Sequence, residues 1–249
     1  MLDSSAPPRP AEARPEARPL YLQARDLLKR RIIDGIWPPG HYLPSETRLA
    51  DELKVSLGTI RRAMEELVEQ GLLERFHGRG TRVAVQSSDR ARFRFLRFGP
   101  ADGGRFALTG LVRRRGTAPA SAEEARRLAL DPGDPVLTLD RERRDGERVR
   151  IVERIVLPAA LFARFDVPLG ADLAEEFYVL YQQQCGVTVM RTEDEVAAEA
   201  ADAETAERLG VAPGTPVLLV MRVAFALDGR PVELRVSRAA DLRYRVVLD

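Results

Sequence analysis

Two arginines extend an apolar strand face in the segment "PVLTLDRERR" (135–144). Alternate residues of a strand point to the same side of a sheet, so Arg141 and Arg143 share a face with Leu137 and Leu139. A guanidinium on a buried face is costly unless an anion meets it. The planar arginine fork binds pairs of carboxylate or phosphate oxygens. The pattern therefore predicts either an anion-binding pocket or a buried ion-pair network with a structural role.

Two carboxylates are candidate partners for these guanidinium groups. Glu153 lies in the strand after the hairpin, on the face of Val149 and Ile151, and Glu233 lies in a second segment of similar pattern. Beside a bound ligand, either carboxylate would accept a hydrogen bond from an amine or hydroxyl group of that ligand. We therefore expect the ligand to be a small anionic metabolite that carries further polar groups.

Polar and basic side chains open the segment "LGTIRRAMEELVEQG" (57–71). Thr59, Arg61 and Arg62 come early, whereas the acidic residues begin at Glu65. A helix that enters the DNA major groove does so by its amino-terminal end, where N–H groups and basic side chains meet phosphates and base edges. The pattern favours a recognition helix, although each arginine taken alone also fits a solvated helix surface.

Apolar spacing and capping residues indicate the elements that position this helix. Residues 20–35 predict a first helix, Ser45 is a candidate N-cap of a short second helix, and Ser56 is a candidate N-cap of the third. The segment "LLERFHGRGTRVAV" (72–85) predicts a hairpin with a glycine-rich tip. Helix, turn, helix and basic hairpin in this order are typical of a winged helix, whose hairpin tip would enter the minor groove.

An internal repeat predicts the architecture of the remaining chain. Segments 122–146 and 202–229 both read as a short helix, a Pro-Gly turn, a "PVL" strand and an Asp-Gly hairpin into another strand. Between them, residues 171–186 read as a helix and residues 187–200 as a strand. We therefore expect an α+β chain, with an N-terminal winged helix-turn-helix domain and a C-terminal α+β domain built on a central antiparallel sheet.

Composition excludes several classes of protein. A length of 249 residues suffices for two domains, and a net charge of +1 excludes a uniformly basic nucleic-acid coat. The only cysteine, Cys185, excludes an internal disulfide framework and fits a reducing cytosol. No apolar run reaches the length of a membrane span, so we expect a cytoplasmic protein with no membrane partner.

Changes in composition predict four parts. Residues 1–17 are rich in proline and predict a disordered tail, and residues 18–86 predict the DNA-binding domain. Residues 87–104 predict a linker in which arginine and phenylalanine alternate. The linker is expected either to be a strand docked by its apolar side or to add phosphate contacts to DNA. Residues 105–249 are expected to form the second domain.

Residues 20–84 resemble the winged-helix domain of the GntR family of regulators, through "I--G-W-PG--LPSE--LA", "VS--T-RRA---L---GLL" and "GRGT-VA". The family usually has arginine at the positions of Thr47 and Leu57. Either the operator therefore differs from the common family site, or base reading depends more on Arg61 and Arg62. With the helix and hairpin patterns, the resemblance implies DNA contacts by Ser45, Thr47, Arg48, Ser56, Thr59, Arg61, Arg62, His77, Gly78 and Arg79.

Residues 105–248 resemble the effector (UTRA) domain of the HutC subfamily, whose fold is similar to that of chorismate lyase. The resemblance rests on the motifs "PVL-L-R-R", "LG---GTPVL---R" and "DGRPVE" and on their order after a GntR-like head. It implies a small-molecule pocket lined by Arg141, Arg143, Glu153, Tyr178 and Glu233.

The combined expectation is a ligand-responsive transcription repressor that binds a palindromic operator in double-stranded DNA as a homodimer, without cofactor or metal. A DNA-binding regulator without a ligand is the first alternative. A lyase-like enzyme is the second, and the sequence gives it little support. The only histidines, His41 and His77, both lie in the first domain, and no metal-ligand or nucleophile–base spacing is present.

Overall fold

The computed structural model describes residues 18–100, 107–173 and 175–246, without the side chains of Arg90 and Phe93. The chain divides into two compact units, Met1–Val85 and Gln86–Asp249. The predicted tail, residues 1–17, lies outside the described residues, as does part of the predicted linker.

The first unit contains the expected helices and hairpin in the expected order. They are α1 (Leu20–Ile33), α2 (Glu46–Leu53), α3 (Leu57–Glu69), β1 (Leu73–Phe76) and β2 (Gly80–Val83). Each helix places apolar residues at helical spacing on one buried face, as the amphipathic pattern predicts. The buried residues that form this small core are Ala24, Leu28, Leu49, Ile60, Met64 and Leu67.

The second unit is a mixed α+β domain. Its helices are α4 (Ser88–Phe95), α5 (Ala122–Leu128), α6 (Phe177–Cys185) and α7 (Ala203–Leu209). Its strands are β3 (Phe98–Pro100), β4 (Thr109–Pro119), β5 (Pro135–Asp145), β6 (Arg148–Pro158), β7 (Asp172–Leu173), β8 (Val189–Ala200), β9 (Pro216–Ala226), β10 (Pro231–Ala239) and β11 (Leu242–Tyr244). Seven strands form one antiparallel sheet in the order β7-β4-β5-β6-β10-β9-β8.

The two faces of this sheet pack against different helices. One face carries Leu139 and Ile155 and packs against the aromatic residues of α6 and the loop before it. The opposite face packs against α5 through residues such as Val136, and against α7 through residues such as Val152. Because neighbouring residues of a strand point to opposite faces, every strand in the middle of the sheet contributes to both layers.

The predicted repeat is confirmed, and it extends to the preceding strands. The series β4-α5-β5-β6 and β8-α7-β9-β10 have the same element order and occupy opposite halves of the sheet. The two halves meet where β6 lies beside β10, and Arg154 is paired with Val236 at this junction. The second unit therefore has an approximate internal two-fold symmetry.

Two segments differ from the expected elements. Residues 88–95 of the linker form helix α4 rather than a strand, because Ala91 and Phe95, four residues apart, are the positions that become buried. Further along the linker, Phe98–Pro100 form the short strand β3. The helix expected over residues 171–186 is shorter, because Asp172–Leu173 pairs with β4 as an additional strand. The alternation of arginine and phenylalanine therefore predicted the two-residue period of a strand where the chain has the period of a helix.

Candidate ligand pocket and DNA-binding surface

Strands β5 and β6 bring one predicted arginine and one predicted carboxylate together on the α6 face. Arg141 lies directly opposite Glu153 in the strand register. Its Nε donates a hydrogen bond to Glu153 Oε2 at 2.6 Å, and both side chains are almost fully buried. The Arg141 guanidinium also lies 4.2 Å from the centre of the Phe177 ring, where a cation–π contact stabilises it.

Glu233 is the centre of a second buried cluster. Its carboxylate accepts hydrogen bonds from the hydroxyls of Tyr178 at 3.0 Å and Tyr181 at 2.6 Å, and from Arg235 Nη2 at 2.7 Å. Burial raises the pKa of both phenols, and the Glu233 charge raises it further. The two tyrosines are therefore neutral hydrogen-bond donors at physiological pH.

Arg143 has a partner that the sequence did not indicate. Its Nη2 donates to Glu176 Oε1 at 2.7 Å, and Arg92 Nε of α4 donates to the same oxygen at 2.9 Å. Burial lowers the pKa of the Arg143 guanidinium, and the neighbouring charge of Arg141 lowers it further. Arg143 is thus a buried cation whose charge is incompletely compensated.

A cavity of about 30 Å³ lies among the sheet, α4 and α6 within the second unit. Its polar lining comprises Arg92, Arg143, Glu153, Glu176, Tyr178, Arg222, Arg235 and Ser237. Three of the predicted ligand residues, Arg143, Glu153 and Tyr178, line this cavity. The other two, Arg141 and Glu233, lie behind the lining and bind residues that form it.

Several guanidinium N–H groups of this cluster have no hydrogen-bond partner among the described residues. They are the Nη2 of Arg141, the Nε of Arg143 and the Nε of Arg235, and all three atoms are buried. A buried donor without a partner costs on the order of 1–3 kcal/mol. The two cavity-lining arginines would recover part of this free energy by donating to acceptor atoms of a ligand.

Glu153 is held in its charged form. Burial opposes ionisation of Glu153, but the guanidiniums of Arg141, Arg235 and Arg143 outweigh it and lower the pKa of the carboxyl group to about 2. Arg222 forms two hydrogen bonds to Asp194, at 2.7 and 2.8 Å. The cavity therefore contains fixed charges of both signs, a donor set suited to an anion that also carries hydroxyl or amine groups.

Helix α4 closes one side of this cavity and is attached to it by polar contacts. Arg222 Nη1 donates to the carbonyl oxygen of Phe95 at 2.7 Å, and the Glu176 N–H donates to Ser88 Oγ at 3.1 Å. The Phe95 ring also packs edge-on against Tyr178, with ring centres 5.0 Å apart. The helix that begins the second unit is therefore held by residues of the pocket itself.

Sequence patterns did not identify three pocket residues, namely Glu176, Arg222 and Arg235. One of them had a usable signal, since Arg222 occupies the same place in the second "PVL" segment as Arg141 does in the first. The other two had none, because Glu176 precedes α6 and Arg235 depends on how β10 lies beside β6.

The first unit presents its predicted residues around the start of α3. The N-cap predictions are confirmed: Ser45 Oγ accepts from the Arg48 N–H at 3.2 Å, and Ser56 Oγ accepts from the Thr59 N–H at 3.1 Å. Ser45, Arg48 and Ser56 are exposed, as is Thr47, while Thr59 is half-buried. The amino-terminal ends of α2 and α3 thus have accessible hydroxyls beside their N–H groups.

The two arginines of α3 are exposed but have partners within the unit. Arg61 Nε donates to Glu46 Oε2 at 2.8 Å, and the Arg62 guanidinium lies 3.8 Å from the centre of the Tyr21 ring. Surface ion pairs of this kind contribute little free energy, so Arg61 can exchange Glu46 for a phosphate or base at low cost.

The hairpin tip is fully accessible. His77, Gly78 and Arg79 are exposed, and Gly78 has a φ of +72°, which favours glycine over any residue with a Cβ atom. The Arg79 N–H donates to the Phe76 carbonyl at 3.0 Å and closes the turn. The arginine side chain is thereby presented at the end of the wing.

Among the helices of the described residues, none combines the length and the apolar composition that crossing a bilayer requires. Within the same residues, no three His, Cys, Asp or Glu side chains are grouped so that they could hold a metal ion.

Comparison with known proteins identifies both units. The family of bacterial regulatory proteins named gntR matches residues 20–83, and the UTRA domain matches residues 106–245. The chain is 30% identical over 230 residues to the HTH-type transcriptional regulator Rv0792c of Mycobacterium tuberculosis, covering 91% of this chain and 84% of that protein. It is 27% identical over 240 residues to the HTH-type transcriptional repressor NagR of Bacillus subtilis, covering 92% and 93%.

Among solved structures, the ligand-binding domain of a GntR-family regulator from Bordetella bronchiseptica is similar to the second unit. Its TM-score is 0.59 at 30% identity, covering 63% of this chain and 98% of that chain. The relatives are named as transcriptional regulators rather than enzymes. The chain therefore belongs to the GntR family of bacterial transcriptional regulators, and its second unit is a UTRA effector domain.

Proposed function

We propose that this regulator is a cytoplasmic repressor that binds a palindromic operator as a homodimer, and that a small anionic metabolite in the second-unit cavity controls it. One winged helix reads only a half-site, so a two-fold protein is the natural partner of a palindromic operator. The relative from Bacillus subtilis is named as a repressor, which favours the same direction of control.

The environment of Arg143 supports the proposal that the ligand is an anion. Arg143 is buried, it lines the cavity, its Nε has no hydrogen-bond partner among the described residues, and burial lowers its pKa. An anion beside it would supply the missing acceptor and the missing negative charge together. A carboxylate or phosphate group suits this position because the guanidinium fork donates to two oxygens at once.

The size of the cavity implies that α4 moves when the ligand enters. A volume of about 30 Å³ holds roughly one water molecule and no metabolite. The sheet strands that line the other sides are tied by ladder hydrogen bonds, whereas α4 is attached by a few side-chain contacts. Displacement of α4 is therefore the least costly way to enlarge the site.

Glu176 couples the ligand to α4. One carboxylate oxygen of Glu176 accepts from both Arg143 and Arg92. A ligand anion bound to Arg143 lies close to Glu176 and repels it, which weakens the bond to Arg92 and to α4. Because α4 follows the first unit directly in the chain, a ligand that favours one position of α4 changes the freedom of the DNA-binding units.

The DNA-binding surface of the proposal comprises the start of α2, the start of α3 and the wing. Arg61, at the start of α3, is proposed to read bases, and Ser45, Ser56 and the wing residue Arg79 are proposed to contact phosphates. Since Thr47 and Leu57 stand where the family usually has arginine, base reading by this surface is proposed to depend mainly on Arg61 and Arg62.

Operator selection followed by a ligand panel tests the proposal. The full-length protein is used to select binding sequences from random DNA, and its thermal unfolding is then followed with small carboxylates, phosphates and amino-acid catabolites. We expect a palindromic sequence and at least one compound that raises Tm, because ligand bound to the native state stabilises it by mass action. The same compound should change operator affinity at least tenfold.

The matched controls are Arg143→Ala in the cavity and Arg126→Ala on the exposed surface of α5. Arg143→Ala should bind the operator and show neither response, whereas Arg126→Ala should behave as the wild type. Equal responses in Arg143→Ala and the wild type would reject the cavity as the effector site. Selection of a single non-palindromic half-site would reject the dimeric operator.

A further inference from the structure

We propose that the second unit has another binding site, for a small oxyanion, on the face of the sheet opposite the effector cavity. A cavity of about 330 Å³ lies there between α7 and the strands β4, β5, β6 and β10. This volume falls within the range of small-molecule sites, roughly 300–1,000 Å³. The effector cavity of the same unit, at about 30 Å³, is much smaller.

Strand alternation separates the two cavities. Asp140 and Arg154 line the larger cavity, while the neighbouring residues Arg141 and Glu153 point their side chains to the opposite face, where they bind each other. Glu153 borders both cavities, but its carboxylate accepts from Arg141 on the effector side. The larger cavity is therefore a second site, and the arginines that line it take no part in the effector cluster.

Arg208 of α7 lines this cavity and has no side-chain hydrogen bond to any residue that the structure describes. Its closest carboxylate oxygens are those of Glu142 at 3.7 Å and Glu204 at 3.9 Å, both beyond hydrogen-bond distance. Its Nη2 is buried and has no hydrogen-bond partner among the described residues. The guanidinium therefore still has N–H groups that can donate to an anion.

Arg154 of β6 is a second such group. Its only ion contact among the described residues is Glu124 Oε1 at 3.6 Å, which also exceeds hydrogen-bond distance. The side chain is half exposed, so it can turn toward a molecule in the cavity. Arg154 and Arg208 come from different elements and both line the same cavity.

Most other charged residues of the cavity are already paired. Arg114 Nε is 2.9 Å from Asp140 Oδ2, and Arg238 donates to Glu199. Asp202 Oδ1 accepts from the Thr205 N–H at 2.7 Å and caps α7, and the largely exposed Glu204 lies 3.9 Å from Arg208. The arginines of the cavity without a hydrogen bond among the described residues are thus Arg154 and Arg208.

An oxyanion satisfies both groups at once. A carboxylate or phosphate group offers several acceptor oxygens and a negative charge, and two guanidiniums from opposite sides bind such a group in a bidentate manner. The surrounding volume leaves room for the rest of a small metabolite. The ligand class is therefore a small phosphate- or carboxylate-bearing molecule that binds independently of the effector.

The test is calorimetric titration of full-length Arg143→Ala protein with inorganic phosphate and, separately, with malonate. This background removes the principal anion-binding arginine of the effector cavity, so a failure of the proposed effector site leaves the result unaffected. We expect at least one anion to bind, and we expect Arg154→Ala added to this background to weaken that binding at least tenfold. The anion that binds more tightly tells phosphate from carboxylate recognition.

Arg208→Lys and Arg126→Ala complete the set. Arg208→Lys keeps the charge and the packing of α7 but loses the fork, and it should weaken binding by at least threefold. Arg126→Ala removes an exposed arginine elsewhere and should change nothing. The second site is overturned if neither anion binds. It is also overturned if binding is unchanged in Arg154→Ala and in Arg208→Lys, which is the result expected for a phosphate held only by the DNA-binding surface.

Discussion

At the residue scale, the second unit is governed by buried charges that are compensated in pairs. Glu153 lies among Arg141, Arg143 and Arg235, and Glu233 accepts from two tyrosines and Arg235. A buried charge that loses its partner is strongly destabilising, typically by 3–5 kcal/mol. The same residues that give the pocket its chemistry therefore also limit how far the pocket can vary.

Acid should weaken the native state through Glu153. Its folded-state pKa of about 2 lies below the ordinary glutamate value of 4.5, so ionised Glu153 stabilises the protein above pH 4.5. This contribution, on the order of 3 kcal/mol, is lost as the pH falls from about 4.5 toward 2. Urea unfolding measured between pH 7 and pH 3 will show the loss as a falling free energy of unfolding.

Glu153→Gln is the comparison for this pH dependence. The variant is less stable at pH 7, because Arg141 loses its charged partner, but its free energy of unfolding should fall less between pH 5 and pH 3. Glu204→Gln, at an exposed position of α7, should keep the pH dependence of the wild type. Parallel curves for Glu153→Gln and the wild type would contradict the role assigned to Glu153.

At the scale of elements, helix ends and one short helix determine how the sites are presented. Ser56 caps α3 and places its hydroxyl on the proposed DNA surface, so one atom contributes to stability and to recognition. Helix α4 is held by Arg92, Arg222 and Ser88, which belong to or surround the effector cavity.

Substitutions at Ser56 should separate stability from DNA binding. Ser56→Ala removes the cap acceptor and should cost about 1 kcal/mol in the free energy of unfolding. Ser56→Asp keeps an acceptor and should retain stability within a few tenths of a kcal/mol, but its charge repels phosphate. Urea unfolding and anisotropy on labelled operator DNA will measure the two effects. Undiminished affinity of Ser56→Asp would exclude Ser56 from the DNA surface.

Loss of Arg92 should loosen α4. Arg92→Ala removes the bond to Glu176, and a partly exposed ion pair contributes up to about 1 kcal/mol, so amide hydrogen exchange in residues 88–96 should accelerate by up to about fivefold. The surface variant Arg126→Ala should leave this segment unchanged. Identical exchange in Arg92→Ala and the wild type would show that the ion pair does not hold the helix.

Features that depend on residues close together in the sequence were predictable from it, whereas features that depend on distant segments were not. The caps at Ser45 and Ser56 depend on a few neighbouring residues, and the pairing of Arg141 with Glu153 depends on one short hairpin, so sequence patterns indicated them. Glu176 and Arg235 reach the pocket through contacts between distant segments, and no local pattern encodes that proximity.

The linker shows a different reason for failure. Its arginine and phenylalanine residues alternate, which favours a strand, but burial of Ala91 and Phe95 against the second unit favours a helix. Tertiary packing therefore selected the helical pattern over the strand pattern. The residues that form the packing surface lie elsewhere in the chain, so this short segment alone could not indicate the outcome.

At the scale of the whole molecule, reading DNA and sensing a ligand are assigned to separate units. The first unit has its own small core, and the second has its own sheet and buried charge clusters. Substitutions confined to one unit should therefore leave the other folded and functional, since distant independent sites act additively.

A pair of variants tests this separation. Arg61→Ala should weaken operator binding at least tenfold, in line with the 1–3 kcal/mol of a base contact, while keeping the effector-induced rise in Tm. Arg143→Ala should keep operator binding and lose the rise in Tm. Fluorescence anisotropy measures operator binding and thermal unfolding measures the rise in Tm for both variants. A single variant that loses operator binding and the rise in Tm together would contradict independent units.

The internal two-fold symmetry has a consequence for the origin of the central charges. Arg141 and Arg222 are equivalent in the two halves, and they pair across their hairpins with Glu153 and Arg235 respectively. Glu153 and Arg235 are thus equivalent positions beside the axis, yet they carry opposite charges 3.7 Å apart. Two identical half-domains on separate chains would place the same residue at both positions, and like charges would repel. A fused chain, in which each half can carry a different residue, permits this attraction at its centre.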